Sequence, residues 1–333
     1  MNLDNLRLRS ETVKAIRKYF DARSYQEMHT PRLVGLPGQE PYLEPFWTSV
    51  QESNALRPTP CALITSPEYA MKRLLANDMD KIYDLGPCFR NQEPWDKSHD
   101  PEFLMLEWYR KNGDIHALMD ETEELIRRVQ TDLISSFGTE NVTTIPSSIP
   151  RKTCEEVWKE YTGTDLASLI GDRDAMARLV QEHHQAVSDS DTWDDLFFKI
   201  FLSNIEPEIS KQGCFLYRYP ISMAALAKPC ADDPRFADRV ELYLNGLEIS
   251  NGFVELADAE EQRKRFNEER ALRSSLQKET WDIDEAFLSD LPRMGSAIGN
   301  ALGVDRLAMV FAGTSSINDI LPFSARERFS GNK

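Results

Sequence analysis

Two arginines in this sequence stand where a guanidinium could bind phosphate oxygens. Arg90 ends a predicted strand in CFRNQEPW. Arg306 follows GNALGVD in the first turn of a predicted helix, near the positive end of the helix dipole. A guanidinium offers two parallel donors to a phosphate, so both residues are candidates for binding a nucleotide. Taken alone, Arg90 is more simply explained by a surface ion pair, and the segment around Arg306 by a tightly packed strand followed by a helix that Asp305 caps.

A second group of candidates consists of carboxylates. Glu241 and Glu248 flank an Asn-Gly turn in VELYLNGLEIS, which predicts a tight hairpin that brings them together. Two neighbouring carboxylates repel unless a divalent cation or an arginine lies between them, so this pair is a candidate magnesium site. Glu68, Glu107 and Glu255 lie in apolar or aromatic segments, where a buried carboxylate needs a cationic partner. For each acid alone, a solvent-facing position is the simpler explanation.

Considered together, these groups fit one set of ligands. The arginines suit a triphosphate, the carboxylate pair suits Mg²⁺, and the other acids suit an organic ammonium group. The residues therefore predict a site for ATP and a basic small molecule. His99, in KSHDPEF, is by itself more simply a loop residue.

Hydrophobic periodicity indicates the elements that position these residues. Helices are predicted at 8–23, 68–77, 113–136, most of 151–205 and 258–275. Strands are predicted at 81–92, 102–110, 214–220 and 239–253, and a last strand ends at Gly303. Strands early, helices in the middle and strands late predict an α+β domain whose sheet is mainly antiparallel. The sequence lacks a βαβαβ pattern with a glycine-rich first turn, which argues against a Rossmann fold.

Composition excludes several classes of protein. The 333 residues are 41 % hydrophobic and 28 % charged, as in ordinary globular domains. A net charge of -16 argues against a protein whose main task is to grip a nucleic-acid backbone. No apolar run approaches the roughly 18 residues of a membrane span, and the N-terminus lacks a signal-peptide core. The five cysteines form no CxxC pair, which favours a reduced, cytoplasmic compartment.

Several segments together resemble the catalytic domain of class II lysyl-tRNA synthetases and, more closely, truncated paralogs in that family that modify elongation factor P. They are TSPEYAMKRLL (65–75), FRNQE (89–93), HDPEFLMLEWYR (99–110), ELYLNGLEISNGFVELADAEEQRKRF (241–266) and GNALGVDRLAMVF (299–311). These segments occur in the family order. The resemblance implies one α+β catalytic domain over 1–333, with motif 1 near 8–33, motif 2 near 82–110, a helical insertion near 113–210 and motif 3 near 295–312.

The resemblance also implies roles for individual residues. Arg90 and Arg306 would be the catalytic residues, on the α- and γ-phosphates of ATP. Glu241 and Glu248 would hold Mg²⁺. Phe103 would stack on adenine, with His99 near the distal phosphates. The implied nucleotide site comprises Arg90, Asn91, Gln92, Glu93, His99, Asp100, Phe103, Glu241, Leu242 and Arg306. The implied substrate pocket comprises Ser66, Glu68, Glu107, Tyr109, Asn251, Phe253, Glu255 and Ala301, with the acids on two amines and Phe253 on the methylene chain.

Three features depart from the family pattern. Motif 2 reads RNQE where the family has RNE, and the loop before His99 is one residue longer. Either Glu93 shifts into the adenine-reading position or Gln92 fills it with a neutral amide. Asp100 replaces an asparagine and would add negative charge close to the phosphates. Ala301 stands where the tRNA-charging enzymes have glycine and the paralogs have alanine.

The implied activity is ATP-dependent activation of lysine, with the β-isomer favoured, as an aminoacyl-adenylate. The acyl group would then pass to the ε-amine of a lysine on elongation factor P. One alternative is a catalytically silent paralog that only binds lysine. Another is a free-standing synthetase related to the asparaginyl enzymes, although that pocket should be cationic. A third is a tRNA-charging enzyme that finds its anticodon module in another chain.

Two expectations concern partners. The sequence begins almost at motif 1, without room for an N-terminal OB-fold that binds the anticodon, and the net charge is -16, so tRNA is not expected as a partner. Motif 1 is expected to pair two subunits as a homodimer. An amphipathic helix over 8–23 would, however, equally suit packing within its own chain.

Overall fold

A large mixed sheet organises the computed structural model, which describes residues 2–329. The strands are Gln26–Met28 (β1), Leu33–Val34 (β2), Phe46–Val50 (β3), Thr59–Leu63 (β4), Lys81–Phe89 (β5), Glu102–Lys111 (β6), Arg151–Thr153 (β7), Cys214–Pro220 (β8), Phe236–Leu244 (β9), Leu247–Val254 (β10) and Ala297–Gly303 (β11). The helices are Leu3–Asp21 (α1), Glu68–Ala76 (α2), Ile115–Phe137 (α3), Cys154–Thr162 (α4), Arg173–Glu182 (α5), Trp193–Ile200 (α6), Glu206–Gln212 (α7), Ala259–Ser275 (α8), Glu285–Met294 (α9), Val304–Ala312 (α10) and Ala325–Phe329 (α11).

The large sheet has eight strands in the order β1-β5-β6-β11-β10-β9-β8-β7. Its outermost pairs, β1 with β5 and β7 with β8, are parallel, and all pairs between them are antiparallel. Strands β2, β4 and β3 form a separate small sheet. The predicted α+β class with a mainly antiparallel sheet is therefore confirmed.

Strands β1 and β7 and helix α9 are among the elements that the sequence pattern does not predict. Strands β1 and β7 have only three residues each, too few to show a period of two. Strand β7 also lies inside the segment predicted to be mostly helical, and it joins the edge of the sheet beside β8. Helix α9 contains Pro292, a residue that normally predicts a helix end rather than an interior.

The strand register lines up one row of side chains across the sheet. Asp84, Glu107, Ala301, Asn251 and Glu241 lie opposite one another in successive pairs on β5, β6, β11, β10 and β9. Directly paired residues point to the same face, and neighbouring strands lie about 4.8 Å apart. Residues that are distant in sequence therefore share one surface.

The opposite face of the sheet is the main hydrophobic core. Helices α1 and α3 pack on each other, and α10 packs on α1 and on β6. Phe20 of α1 is fully buried and stacks on Tyr83 with ring centroids 4.7 Å apart. The apolar face of α1, with Leu8 and Ile16, is thus buried within its own chain. Within residues 2–329, no helix has both the length and the apolarity to cross a bilayer.

A buried carboxylate ties the segment after α1 to the sheet. Asp84 is 1 % exposed and accepts hydrogen bonds from the backbone N–H of Thr30 at 2.9 Å and from its hydroxyl at 2.7 Å. The guanidinium of Arg32 forms an ion pair with the same carboxylate. A Cβ atom at Gly86 would collide with that guanidinium, so the glycine makes room for the arginine. Arg32 therefore neutralises a charge that water cannot reach.

We expect Arg32→Met to lower the free energy of unfolding by about 3–5 kcal/mol, because it leaves the Asp84 charge buried without a cation. Urea denaturation followed by circular dichroism measures the loss. Arg7→Met is the matched control, since Arg7 and its partner Asp4 are 71 % and 84 % exposed, and its cost should stay below about 1 kcal/mol. Equal losses in the two variants would contradict this role for Arg32.

Candidate active site

Arg90 has a side-chain donor for which residues 2–329 supply no acceptor. Its backbone N–H donates to the carbonyl oxygen of Pro101 at 3.0 Å, which closes the loop between β5 and β6. The guanidinium carbon lies 5.2 Å from the centre of the Phe103 ring. Its Nε is buried and has no hydrogen-bond partner in the described residues. Because buried donors are normally paired, this one suits an anionic ligand beside an aromatic ring.

The extra residue in motif 2 is accommodated at Gln92. Gln92 has a φ of +60°, a conformation in which few residues other than glycine are found, and its side chain is exposed. The backbone N–H of Asn91 donates to the carbonyl oxygen of Glu44 at 2.7 Å, while Glu93 is half-buried. The side chain of Gln92 therefore points towards solvent. This arrangement favours Glu93, and not Gln92, as the residue that reads the base.

Arg306 and His99 meet although 207 positions separate them in sequence. Arg306 Nη1 donates to the carbonyl oxygen of Glu248 at 3.0 Å, and Nη2 donates to Nε2 of His99 at 3.1 Å. Nδ1 of the same imidazole lies 3.0 Å from Oδ1 of Asp96, which fits the tautomer protonated at Nδ1. The structure thus brings together the two groups predicted to face the distal phosphates.

Two residues of the predicted nucleotide site, Asp100 and Leu242, have side chains that are engaged elsewhere in the fold. The carboxylate of Asp100 is 3 % exposed, accepts a hydrogen bond from the backbone N–H of Ala325 at 2.8 Å and forms an ion pair with Arg328. It anchors α11, and its charge is already neutralised, so we leave it out of the proposed ATP site. The side chain of Leu242 is fully buried in the core on the opposite face of the sheet. Alternation along β9 puts it there, so only its backbone remains available.

Glu241 lies in a polar cluster on β8 and β9. Its carboxylate accepts a hydrogen bond from the hydroxyl of Tyr243 at 2.5 Å and another from the hydroxyl of Tyr219. It also forms an ion pair with Arg239, which in turn donates from Nε to Oδ1 of Asn251 at 3.2 Å. Arg239 thus links a predicted metal ligand to a predicted substrate contact.

Glu248 stands beside Glu241 and stays 41 % exposed in the cleft, with its Oε2 3.8 Å from Nη1 of Arg306. Although the side chain is partly exposed, desolvation of the carboxylate by the surrounding cleft, followed by the charge of Glu241, raises the pKa of Glu248 to about 7, against the lowering effects of Arg306, Arg239 and Arg90. Within residues 2–329 no cluster of three or more His, Cys, Asp or Glu side chains could hold a metal ion. Mg²⁺ commonly takes one or two carboxylates and completes its shell with phosphates and water, so this repelling pair fits a magnesium–nucleotide complex.

The predicted substrate acids surround a buried pocket beside β6. Glu107 is 1 % exposed; its Oε1 accepts from the hydroxyl of Ser66 at 2.6 Å and its Oε2 from that of Tyr109 at 2.7 Å. Burial and the nearby charge of Glu68 raise the pKa of Glu107 to about 8. The Ser66 hydroxyl also accepts the backbone N–H of Glu68 at 3.0 Å, at the start of α2. A cationic ligand would relieve the cost of these buried carboxylates.

Small residues on β11 allow neighbouring side chains of the predicted substrate site to approach the strand closely. Phe253 on β10 lies opposite Gly299, which lies opposite Tyr109. A Cβ atom at Gly299 would collide with the Tyr109 ring and with Oε1 of Glu255. Ala301, two residues further along the same strand, packs beside Phe103. The missing side chain at Gly299 therefore lets Tyr109 and Glu255, two residues of the predicted substrate site, lie directly against the strand.

Sequence analysis misses several charged residues at this site. Lys72 is 1 % exposed and lies between Glu68 and Glu255, with its Nζ 2.6 Å from Oε2 of Glu255. Its signal is the four-residue spacing from Glu68 on a helix. Arg239 precedes Glu241 by two positions and therefore shares its face of the strand. Glu40, in a proline-rich loop, has no periodic signal; burial raises the pKa of its carboxyl, and the charges of Glu68 and Arg90 act on it in opposite directions.

We expect Glu248→Gln to raise the midpoint of thermal unfolding at pH 8, and to raise it less at pH 5. The pKa of Glu248 is raised in the folded protein, so the folded state holds more protons than the unfolded state between about pH 4.5 and 7. Stability contributed by this group therefore falls as pH rises through that window. Differential scanning calorimetry at both pH values measures the change, with exposed Glu52→Gln as control. Identical midpoints for Glu248→Gln and wild type at pH 8 would refute the raised pKa.

Comparison with known proteins bears on this geometry. The chain is 34 % identical over 325 residues to an elongation factor P--(R)-beta-lysine ligase of Haemophilus influenzae (strain PittGG), covering 97 % of this chain and 95 % of that protein. A protein of the same name from Proteus mirabilis is 34 % identical over 330 residues, which cover 97 % of this chain and 95 % of that protein. Another from Sodalis glossinidius is 34 % identical over 322 residues, which cover 96 % of this chain and 94 % of that protein. The family model described as tRNA synthetases class II (D, K and N) matches residues 2–327. The chain therefore belongs to the class II (D, K and N) tRNA synthetase family.

Proposed function

We propose that this protein activates (R)-β-lysine with ATP and transfers it to a lysine side chain of elongation factor P. The observation that carries the proposal is the row of side chains on one sheet face, with Glu241 of the phosphate side at one end and buried Glu107 of the amine pocket towards the other. The names of the similar proteins support the acceptor and the isomer.

In the first step, the carboxylate of β-lysine attacks the α-phosphorus of ATP. A new C–O–P linkage forms, the bond to the β-phosphate oxygen breaks, and pyrophosphate leaves. The chain need not supply a nucleophile, since its task is to hold two anions in line. The free Nε of Arg90 is the group we assign to the α-phosphate, because charge develops there in the transition state.

Arg306, His99 and the acid pair would bind the distal phosphates. Arg306 and His99 lie within 3.1 Å of each other, which places two nitrogen groups at one end of the site. Glu241 and Glu248 would hold Mg²⁺, which neutralises phosphate charge when it is bound. Arg239 already neutralises Glu241, so we expect this arginine to help fix the geometry of that acid.

The amine pocket would orient the activated substrate. Glu68, Glu107 and Glu255 are the carboxylates available to two ammonium groups, and Phe253 would pack on the methylene chain between them. In the second step, the ε-amine of the acceptor lysine attacks the acyl carbon. The C–N bond forms, the bond from that carbon to the phosphate oxygen breaks, AMP leaves, and the amine loses a proton.

The acceptor is proposed to be a protein and not a tRNA. A net charge of -16 disfavours the phosphate backbone of a nucleic acid, although it does not oppose a protein surface. A translation factor as acceptor also places the proposed reaction in the cytoplasm.

Mass spectrometry of purified elongation factor P, after incubation with the protein, ATP, Mg²⁺ and (R)-β-lysine, tests this function. We expect one added β-lysyl group and the release of AMP and pyrophosphate. Parallel reactions with α-lysine test the isomer, and bulk tRNA tests the alternative acceptor. Lysine binding without any pyrophosphate exchange would replace the proposal with a silent paralog.

Arg90→Met should lower the rate of ATP–pyrophosphate exchange by about 10²–10³, by analogy with the loss of other donors that stabilise a transition state. Arg7→Met is the control on an exposed helix and should leave the rate unchanged. A fall of less than about threefold in Arg90→Met would remove this residue from the proposed chemistry.

We also expect a homodimer formed through the motif 1 segment near 8–33. The apolar face of α1 is occupied within its own chain, so the pairing surface must use other groups, such as Leu33, which is 40 % exposed. Multi-angle light scattering should give twice the mass of 38.2 kDa. A single-chain mass at micromolar concentration would contradict the expected dimer.

A further inference from the structure

Lys72 is a buried cation among the three acids of the amine pocket, Glu68, Glu107 and Glu255. Its side chain is 1 % exposed, and that of Glu255, at 2.6 Å from the ammonium group, is 0 % exposed. The same ammonium forms an ion pair with Glu68, one turn earlier on α2. The chemistry proposed above assigns these carboxylates to the substrate and leaves Lys72 without a role.

The next residue of α2 shows that this burial is specific. Arg73 points to the outer side of the helix, is 43 % exposed and pairs with Asp290 of α9 at 2.8 Å. Two adjacent cations therefore have opposite environments. A buried ammonium costs free energy unless it is paired, so the position of Lys72 depends on the two carboxylates that flank it.

The formal charges of the pocket and of the substrate explain why a lysine lies among these acids. In their ionised forms Glu68, Glu107 and Glu255 carry three negative charges, and Lys72 offsets one of them. A diamine substrate brings two positive charges. Without Lys72, the pocket would contain three acids for two ammonium groups. Burial would then favour protonation of one acid, and a protonated acid attracts an ammonium group only weakly.

Lys72 acts most directly on Glu255. Oε1 of Glu255 has no hydrogen-bond partner in the described residues, and the polar group that contacts Oε2 there is the Lys72 ammonium at 2.6 Å. Burial raises the pKa of Glu255, and Lys72 is the group that opposes the rise. Glu107, in contrast, is held by the hydroxyls of Ser66 and Tyr109. Glu255 is therefore the acid that depends most on the lysine.

We propose that Lys72 is a positioning residue of the amine pocket. Its ammonium group fixes the carboxylates of Glu68 and Glu255 on either side of it and offsets one of the three formal negative charges, so that two remain for the two amines of the substrate. This inference rests on the proposed function, because it assumes that the pocket receives an amino acid with two amines. It assigns no contact between Lys72 and the reacting atoms.

Lys72→Met tests the inference in the ATP–pyrophosphate exchange assay with (R)-β-lysine. We expect the KM for β-lysine to rise by at least about tenfold while the KM for ATP changes by less than about twofold, because only the amine pocket loses a charge. Arg73→Met removes a cation from the adjacent position and should change neither constant. A purely structural role would instead lower the amount of active enzyme and leave both KM values unchanged.

The charge itself is tested by Lys72→Arg and Lys72→Gln, which also serve if Lys72→Met does not fold. We expect the arginine variant to keep a lower KM for β-lysine than the glutamine variant. Lys72→Ala should in addition regain affinity for β-lysine when propylammonium, which replaces the deleted atoms, is added. A glutamine variant as good as arginine, or equal rises in the two KM values, would overturn the proposal. Wild-type enzyme that shows no exchange with β-lysine would instead refute the proposed function.

Discussion

Buried negative charge is the constraint on which this site depends. Asp84, Glu107 and Glu241 lie in one row across the sheet, and each is 5 % exposed or less. None of them can rely on water, so each has its own partners: Arg32 and Thr30 for Asp84, two hydroxyls for Glu107, and Arg239 with two tyrosines for Glu241. The arginines and hydroxyl groups around the cleft therefore compensate the buried negative charges of this row.

One side of the sheet provides stability through its apolar core, and the other side carries the groups available for binding. Helices α1, α3 and α10 bury aromatic and aliphatic side chains on one side, where packing is close and apolar. The other side holds carboxylates whose pKa values are raised by burial, which is unfavourable for folding but suits a cationic substrate. Proteins commonly tolerate such local cost at a binding site when the remaining core compensates.

Much of this arrangement could be predicted from the sequence. Alternation on β6 and the Asn-Gly turn between β9 and β10 place Glu107, Glu241 and Glu248 correctly, because local periodicity and turn chemistry dictate them. The partners could not be predicted in the same way. The ion pair of Lys72 with Glu255 joins α2 to the end of β10, and the contacts of Asp100 join motif 2 to α11. Only the folded chain determines such distant pairs.

Gln92 adopts a left-handed backbone conformation in the motif 2 turn. This conformation lets the turn take up a residue while the strands on either side of it, β5 and β6, stay in register. Phe89 remains paired with Glu102, and Arg90 still closes on Pro101, although one more residue lies between them. A turn of this kind leaves the ladder in phase and so leaves the Arg90 guanidinium, which we propose as a phosphate ligand, in its place beside Phe103. A protein that contacted this turn could therefore reshape it without changing the register of β5 and β6.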